Sequence, residues 1–240
     1  MKLKITSLLF ILLGASGSVK SQVHQRQELT WFRYYGSYEM SENWKVKAEI
    51  EYRNFQPQWR PHQLLLPRLH VERKLASEFK VGVGAVYFLH WLPHDAEVTE
   101  KAMRIEYRPH QYITQGHLFK WGSFKQRWMI EQRWRQNIIN NEAQNSYRFN
   151  FRFRYSATVQ VHLNQDKQWV LQFSAEPMLN AGRSIRQDYL DQVRTSLGTR
   201  ISLTEHIDLS LDYINWYQPV IQQNRVYLRD IARFTIYHEF

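Results

Sequence analysis

The stretch Tyr147–Leu163, YRFNFRFRYSATVQVHL, decides the fold class. Every second residue from Tyr147 to Leu163 is apolar or aromatic, and the residues between them, from Arg148 to His162, are polar or charged. Successive side chains of a β-strand point to opposite faces, so the stretch predicts one long strand with an apolar wall and a polar wall. Weaker versions recur along most of the chain after residue 27, between turn-like breaks. This repetition is typical of a closed antiparallel barrel.

The N-terminal residues predict export. Lys2 and Lys4 precede an uncharged, largely apolar run at 5–13, and small residues follow at 14–18. A basic start, a short apolar run and a small-residue exit describe a secretory signal peptide. The run is too short to cross a bilayer as a helix. We therefore expect a signal peptide at 1–21 and a barrel at 22–240.

Composition restricts the membrane and partner classes. The chain has no Cys, which excludes disulfides and thiolate metal sites. No later stretch contains 18 consecutive apolar residues, so any membrane span must be a β-strand. The mean hydropathy of −0.58 is compatible with this, because strands in which only every second residue is apolar do not raise the average hydropathy. The formal net charge of +10 indicates anionic lipid phosphates or an anion-binding lumen, and export disfavours nucleic acid.

The strand pattern predicts an all-β, transmembrane, antiparallel up-and-down barrel. Short and long connections alternate, as in outer-membrane barrels, whose short turns are periplasmic. Because such barrels normally have an even strand number, we expect 12 strands, with 10 as the alternative, and a strand hidden at 22–29 would supply the twelfth. The segments with strand character are 27–39, 44–56, 63–75, 79–92, 102–115, 122–138, 145–163, 168–178, 188–203, 206–217 and 226–240.

The cost of burying arginine in lipid indicates which wall faces outward. Arg148, Arg152 and Arg154 share the polar wall of 145–163. An arginine on the lipid face costs roughly 2–4 kcal/mol at the midplane, so the apolar wall must face any lipid. In 44–56, aromatic residues at both ends flank aliphatic ones, as interfacial girdles require. The predicted membrane-facing residues are Trp44, Val46, Ile50, Tyr52, Phe149, Phe151, Phe153, Tyr155 and Phe240.

The C-terminal alternation also predicts location and partners. It runs from Ala232 to Phe240 and resembles the terminal strand of outer-membrane proteins, which ends in an aromatic residue read by the barrel-insertion machinery. We expect a monomer in the outer membrane of a Gram-negative bacterium, with outer-membrane lipids, lipopolysaccharide and that machinery as partners. No cofactor is expected.

Several polar-wall motifs resemble a known family, the outer-membrane proteins grouped as domain-of-unknown-function family 2490. The resemblance spans the mature chain and implies an outer-membrane β-barrel without an assigned activity. The residues that carry it are Tyr107-Arg108 with Gln111, Gln126-Arg127, Glu131-Gln132-Arg133-Trp134, Arg152 with Arg154-Tyr155, Glu176 with Asn180, and Asp191-Gln192 with Arg194 and Gly198.

The polar walls of neighbouring strands predict a charge network in the lumen. Such a network either fills and rigidifies the barrel or forms a binding site or passive path for small anionic solutes. The second possibility predicts anion-favouring conductance that is weakened by Arg127→Ala plus Arg152→Ala. The candidate residues are Glu106, Arg108, Arg127, Glu131, Arg133, Arg135, Arg152, Arg154, Glu176 and Arg194.

Two other functions stay open at this point. A soluble periplasmic lipocalin-like barrel would turn the apolar walls inward and bind a hydrophobic ligand. An outer-membrane lipid-modifying enzyme would need a nucleophile and a base in mutual reach. However, the chain has no Gly-x-Ser-x-Gly elbow and no His-Glu-x-x-His motif, so we expect no catalytic residues and no metal site. The serines and histidines of the polar walls are Ser156, Ser174, Ser202, His70, His90, His110 and His162.

Overall fold

Eleven strands form one closed barrel in the computed structural model, which describes residues 23–240. The predicted signal peptide, 1–21, lies outside the described residues. A 3₁₀ turn, Ile221–Gln223, precedes the last strand. The strands are β1 (Val23–Ser41), β2 (Trp44–Phe55), β3 (Arg60–Lys74), β4 (Phe79–Leu92), β5 (Ala102–Phe119), β6 (Gly122–Ile139), β7 (Glu142–His162), β8 (Trp169–Ala181), β9 (Leu190–Ser202), β10 (Ile207–Val220) and β11 (Arg225–Glu239).

The barrel closes through a parallel pair of strands. Each strand pairs antiparallel with the next, whereas β1 and β11 run in the same direction, from Val23 opposite Arg225 to Ser37 opposite Glu239. The preferred number of 12 strands is therefore wrong. From Val23 onwards, the segment suspected of hiding a twelfth strand is the beginning of β1. An odd number of strands is possible because a parallel ladder can also satisfy both strand edges.

The connections define two ends of the barrel. The loop end carries 56–59, 93–101, 140–141, 182–189 and 221–224, and the turn end carries 42–43, 75–78, 120–121, 163–168 and 203–206. The N–H of Val23 donates to the carbonyl of Asn224 (3.0 Å), so β1 begins at the loop end. The N–H of Phe240 donates to the carbonyl of Ser37 (2.9 Å) at the turn end, where the Phe240 ring packs on His238.

One connection is shorter than the predicted strand segments imply. Between the predicted segments 122–138 and 145–163 the chain makes a two-residue turn, with Ile139 directly opposite Glu142. Asn140 and Asn141 have φ values of 51° and 63°. Two consecutive left-handed residues make the type I′ geometry, whose twist matches that of the flanking strands, and asparagine tolerates this conformation.

The two walls of β7 take opposite sides of the barrel. Phe151 and Phe153 point outward and are 37% and 43% exposed, whereas the alternating residues Asn150 and Arg152 are buried. A lipocalin-like barrel would require these phenylalanines inside, so that arrangement is wrong for this chain. Among the described residues, no helix is long and apolar enough to span a membrane.

The interior also contains apolar side chains that the polar-wall rule did not predict. A β-bulge at Leu66–Pro67 shifts the register of β3, so both Leu65 and Arg68 lie on the inner side, opposite Glu51 and Glu49. A larger apolar cluster lies inside β1, β2, β10 and β11. Its members, here called the inner cluster, are Leu29, Trp31, Phe55, Ile214, Trp216 and Ile231.

Candidate functional site

A continuous chain of ion pairs crosses the barrel interior. Glu106 accepts hydrogen bonds from Arg108 Nε (2.7 Å) and Arg133 Nε (2.6 Å). Asp191 accepts from Arg133 Nη1 (3.4 Å) and from Arg152 Nη1 (2.8 Å). Because β6 and β9 are not neighbours in the barrel, the contact between Arg133 and Asp191 spans the interior.

The chain continues towards the turn end. Glu131 accepts from Arg152 Nε (2.6 Å) and Arg154 Nη1 (2.8 Å). Glu176 accepts from Arg154 Nη2 (2.8 Å) and Arg127 Nη2 (3.0 Å). Cations and anions thus alternate without interruption. We call this set the belt; in order of contact it comprises Arg108, Glu106, Arg133, Asp191, Arg152, Glu131, Arg154, Glu176 and Arg127.

Burial explains why the belt must alternate in charge. Glu106 is 0% exposed and Glu131 is 1% exposed. An isolated buried charge is strongly destabilising, but a carboxylate between two guanidiniums has most of its acceptor sites filled. With five arginines and four carboxylates, the belt therefore neutralises most of its own charge and leaves little for a ligand.

The structure brings together eight of the ten residues predicted for the lumen network. The other two are also inside the barrel but have different partners. Arg135 Nη2 donates to Asn150 Oδ1 (2.9 Å), and the guanidinium of Arg194 lies 4.4 Å from the ring centre of Trp216. The eight belt members predicted from sequence are Glu106, Arg108, Arg127, Glu131, Arg133, Arg152, Arg154 and Glu176.

Sequence reasoning missed Asp191 as a belt member. Strict alternation puts Asp191 on the outer side, because Gln192 and Arg194 are inner residues of β9. A register shift opposite Met178 and Leu179 leaves Asp191 without a partner residue on β8, and its carboxylate turns inward. The Asp191-Gln192 motif of the family resemblance was the signal that could have identified it.

Further ion pairs line the rest of the inner wall. Arg53 Nε donates to Glu51 Oε1 (2.6 Å), and Arg233 Nη2 donates to Asp212 Oδ2 (3.1 Å). On β3, Arg68 lies 3.2 Å from a carboxylate oxygen of Glu49. None of these pairs was predicted as part of the site.

Two large cavities lined by the described residues lie inside the barrel, one at each end. The loop-end cavity has a volume of about 800 Å³ and the turn-end cavity about 720 Å³. The loop-end cavity is strongly basic, since Asp188 and Asp191 are the only acidic residues among the described residues that line it. The arginines that line it are Arg53, Arg104, Arg108, Arg133, Arg135, Arg148, Arg152, Arg186, Arg194 and Arg225.

Three of these arginines, on adjacent strands, form what we call the basic wall: Arg104, Arg135 and Arg148. Arg135 lies directly opposite Arg148 in the β6–β7 ladder, an arrangement that is destabilising without a counter-charge. Within residues 23–240, none of the three forms an ion pair with a carboxylate. The Nε atoms of Arg104 and Arg135 are buried without a hydrogen-bond partner. The basic wall therefore has donors and charge available for an anion.

The 93–101 connection packs against the inner cluster through Ala96, and its Pro93 and His94 line this cavity. Gln27 Nε2 donates to the carbonyl of His94 (2.8 Å), and Arg60 Nη1 donates to that of Ala96 (2.8 Å). The ring of His94 lies 4.8 Å from that of His62 and 5.8 Å from that of His90. Burial lowers the pKa of His94 well below its ordinary value, so this ring is neutral at pH 7.

Two observations on the described residues concern the serines and histidines of the polar walls and the potential metal ligands. Ser174 Oγ lies 2.6 Å from Ser196 Oγ, and no hydrogen bond joins a serine hydroxyl to a histidine ring in 23–240. His110 Nε2 lies 3.2 Å from His70 Nδ1. No group of three or more potential ligands that could hold a metal ion occurs among these residues.

Comparison with known proteins identifies the family. The model of the family described as "Protein of unknown function (DUF2490)" matches residues 28–227. The chain belongs to this family. The resemblance drawn from the polar-wall motifs of this DUF2490 chain is thus confirmed. Among solved structures, the chain is similar to "NanC porin structure in rhombohedral crystal form", with a TM-score of 0.48 and 12% identity over 82% of this chain and 88% of that one. No curated protein matches the chain.

Proposed function

We propose that this DUF2490 chain is an outer-membrane β-barrel of a Gram-negative bacterium that binds small anionic solutes in its loop-end cavity. The observation that carries the proposal is the basic wall, where Arg135 and Arg148 face each other and form no ion pair with a carboxylate of residues 23–240. Lipids of the outer membrane, including lipopolysaccharide, would cover the outer surface. No catalytic step is part of the proposal.

The outer surface supports a membrane location. Large apolar and aromatic side chains are exposed all around the barrel, including Trp44, Ile50, Phe149 and Phe153. Soluble monomers rarely expose such a continuous apolar surface. The shortest strand has 12 residues, which exceeds the roughly 9–11 needed to cross a bilayer.

Polar residues on this surface bond to one another. Gln132 Nε2 donates to Gln111 Oε1 across β5 and β6 (2.9 Å), and the Tyr155 hydroxyl donates to Gln126 Oε1 (2.6 Å). In water such pairing would add little stability, because water molecules form hydrogen bonds with exposed amide groups. In hydrocarbon an unpaired amide is costly, so mutual pairing suits a lipid-covered surface.

The belt and the basic wall would then have different roles. The belt neutralises itself and stiffens the barrel, whereas the basic wall keeps unpaired guanidiniums beside an aqueous cavity. Because a charge-assisted hydrogen bond contributes about 1.5–3 kcal/mol, an anion with several carboxylates or phosphates can gain affinity from each arginine it contacts.

Citrate binding to the purified, detergent-solubilised barrel tests the proposal by isothermal titration calorimetry. We expect binding that weakens as salt increases, because the contacts are ionic. Arg104→Ala and Arg135→Ala should each weaken it by at least about tenfold. Arg183→Ala is the matched control, since Arg183 lies in a loop of the same end but does not line the cavity.

Three outcomes would contradict the proposal. They are the absence of citrate binding, equal binding of the positively charged probe choline, and equal losses in the Arg183 and Arg104 variants. Absence of binding by a folded barrel would leave the scaffold function, which the self-neutralised belt favours.

A further inference from the structure

The two interior cavities meet at only two side chains. Arg53 and Arg194 line both the loop-end and the turn-end cavity, and no other described residue lines both. The two cavities therefore approach each other most closely at these guanidiniums, which are the residues that a solute crossing between them would contact. We call the contact zone around them the partition.

Aromatic rings hold the partition in place. The guanidinium carbon of Arg53 lies 3.9 Å from the ring centre of Trp31, and that of Arg194 lies 5.2 Å from the same ring. Arg194 also lies over Trp216, whose ring meets that of Trp31 edge-on at 6.0 Å. Cation–π contact favours these positions without neutralising the positive charges.

The two arginines differ in their polar partners. Arg53 is fixed by Glu51 and by Gln63 Oε1. Arg194 lies opposite Glu176 in the β8–β9 ladder, but within residues 23–240 it forms no ion pair, since Glu176 bonds to Arg127 and Arg154, and its Nε is buried without an acceptor. Arg194 is therefore the member of the partition with unused charge.

Two further N–H donors beside Arg194 also lack acceptors. They are the indole Nε1 atoms of Trp31 and Trp216, whose side chains are 1% and 3% exposed. Buried donors are normally paired, and an unpaired one is costly. Three unpaired donors and an unneutralised guanidinium in one cluster have the chemistry that a small anion would satisfy.

We infer that the partition is a second anion-binding subsite, at which Arg194 and the indole N–H groups of Trp31 and Trp216 select anions that cross the barrel. The inference rests on the proposed anion-binding function and extends it from binding to passage. The occupant is a small inorganic anion or a single carboxylate group. Arg194 acts both as barrier and as binding residue, since its side chain must move aside as the anion passes.

Conductance of the purified barrel in planar bilayers, under a potassium chloride gradient, tests this inference. We expect an anion-selective wild type. Arg194→Ala should increase the conductance and lower the chloride-over-potassium permeability ratio by about fivefold, because one unit charge is lost from the path. Arg194→Lys should keep the selectivity, and Arg194→Glu should favour cations.

Trp216→Phe provides a second, milder variant. It keeps an aromatic ring under Arg194 but removes the indole N–H, so we expect a smaller loss of anion selectivity at nearly unchanged conductance. Arg200→Ala is the control, because Arg200 lines only the turn-end cavity and is paired with Asp208. A heat-modifiable gel shift shows that each variant is folded.

The outcomes separate the partition from the loop-end site. The inference that the partition selects anions would be overturned by either of two results. One is the absence of conductance for both the wild type and Arg194→Ala, and the other is equal ion selectivity in Arg194→Ala and Arg200→Ala. If the bilayer result were negative but the wild type still bound citrate, and Arg104→Ala bound it more weakly, the proposed anion binding would stand and only the passage of anions would be refuted. Failure of citrate binding, by contrast, would remove the proposed function itself.

Discussion

Arg152 lies directly opposite Glu131 in the β6–β7 ladder, and its Nε donates to Glu131 Oε2 at 2.6 Å. This cross-strand pair joins the two halves of the belt, since Arg152 also reaches Asp191 and Glu131 also reaches Arg154. Removing one partner of a buried ion pair leaves an uncompensated charge, which destabilises more than the pair itself stabilises.

Glu131→Gln should therefore destabilise the barrel strongly. Arg152 and Arg154 would each keep one carboxylate partner but lose the one they share. We expect the free energy of unfolding to fall by about 3 kcal/mol, measured by urea unfolding in detergent micelles. Glu142→Gln, at an exposed position beside the β6–β7 turn, should change it little. Equal unfolding midpoints for both variants would show that the belt does not stabilise the fold.

Two glycines of neighbouring strands provide a packing test. A Cβ at Gly122 would lie 1.8 Å from the carbonyl oxygen of Gln160 on β7, whereas one at Gly116 would meet nothing within 4 Å. Gly122→Ala must displace β7, so we expect a loss of about 1–3 kcal/mol. Gly116→Ala should be neutral or slightly stabilising. The heat-modifiable gel shift and urea unfolding measure both, and similar stabilities would mean that β7 yields without cost.

Much of the fold follows from alternation, because strand period and residue polarity together fix which side chains point inward. β4 occupies the predicted segment 79–92, and β7 lies at 142–162 against a predicted 145–163. The number of strands does not follow from alternation. Closure depends on whether β1 meets β11 in parallel, and no local pattern encodes that pairing.

The belt was predictable only where register and parity are regular. The inward position of Glu131 and Arg152 follows from two regular strands, whereas that of Asp191 depends on a bulge. Outside the belt, the inward position of Leu65 likewise depends on the irregularity at Pro67. The basic wall and the partition were also not separable from the belt by sequence. Arg135 and Arg152 both occupy polar-wall positions of an alternating strand. Only their partners in the three-dimensional structure distinguish a guanidinium without an ion pair from a neutralised one.

That distinction changes the expected effect of removing arginines. Arg127 and Arg152, chosen from the sequence as anion-selecting residues, are both paired with carboxylates. We now expect Arg127→Ala plus Arg152→Ala to lower stability and to alter ion selectivity less than Arg194→Ala alone. Bilayer reversal potentials and urea unfolding, measured on the same preparations, compare the two effects. A larger selectivity change in the double variant would show that the belt arginines, rather than Arg194, determine the ion selectivity.

The Asn140–Asn141 turn should control the β6–β7 hairpin. Both residues are left-handed, a conformation that is costly for β-branched side chains and free for glycine. Asn141→Val should destabilise the barrel by about 1–2 kcal/mol, and Asn141→Gly should be neutral or stabilising. Unfolding in urea gives both values. If valine were tolerated as well as glycine, the turn would have another conformation in solution.

The 93–101 connection should loosen in acid because of His94. Burial lowers the pKa of His94, and the neighbouring His90, Arg229 and Arg104 lower it further. The folded protein therefore keeps this ring neutral, whereas the unfolded chain takes up a proton below about pH 6.5. The resulting stabilisation is complete above that pH and is lost as the pH falls below it.

His94→Gln should remove this part of the pH dependence. Between pH 7.5 and 5.5, the wild type should lose up to about 1.4 kcal/mol per pH unit more than the variant, since one proton is taken up on unfolding. Urea unfolding at several pH values measures the difference. His206→Gln, at an exposed turn position, is the control and should follow the wild type. If His94→Gln showed the wild-type slope, the ring would already be protonated in the folded barrel, and the connection could not respond to acid through it.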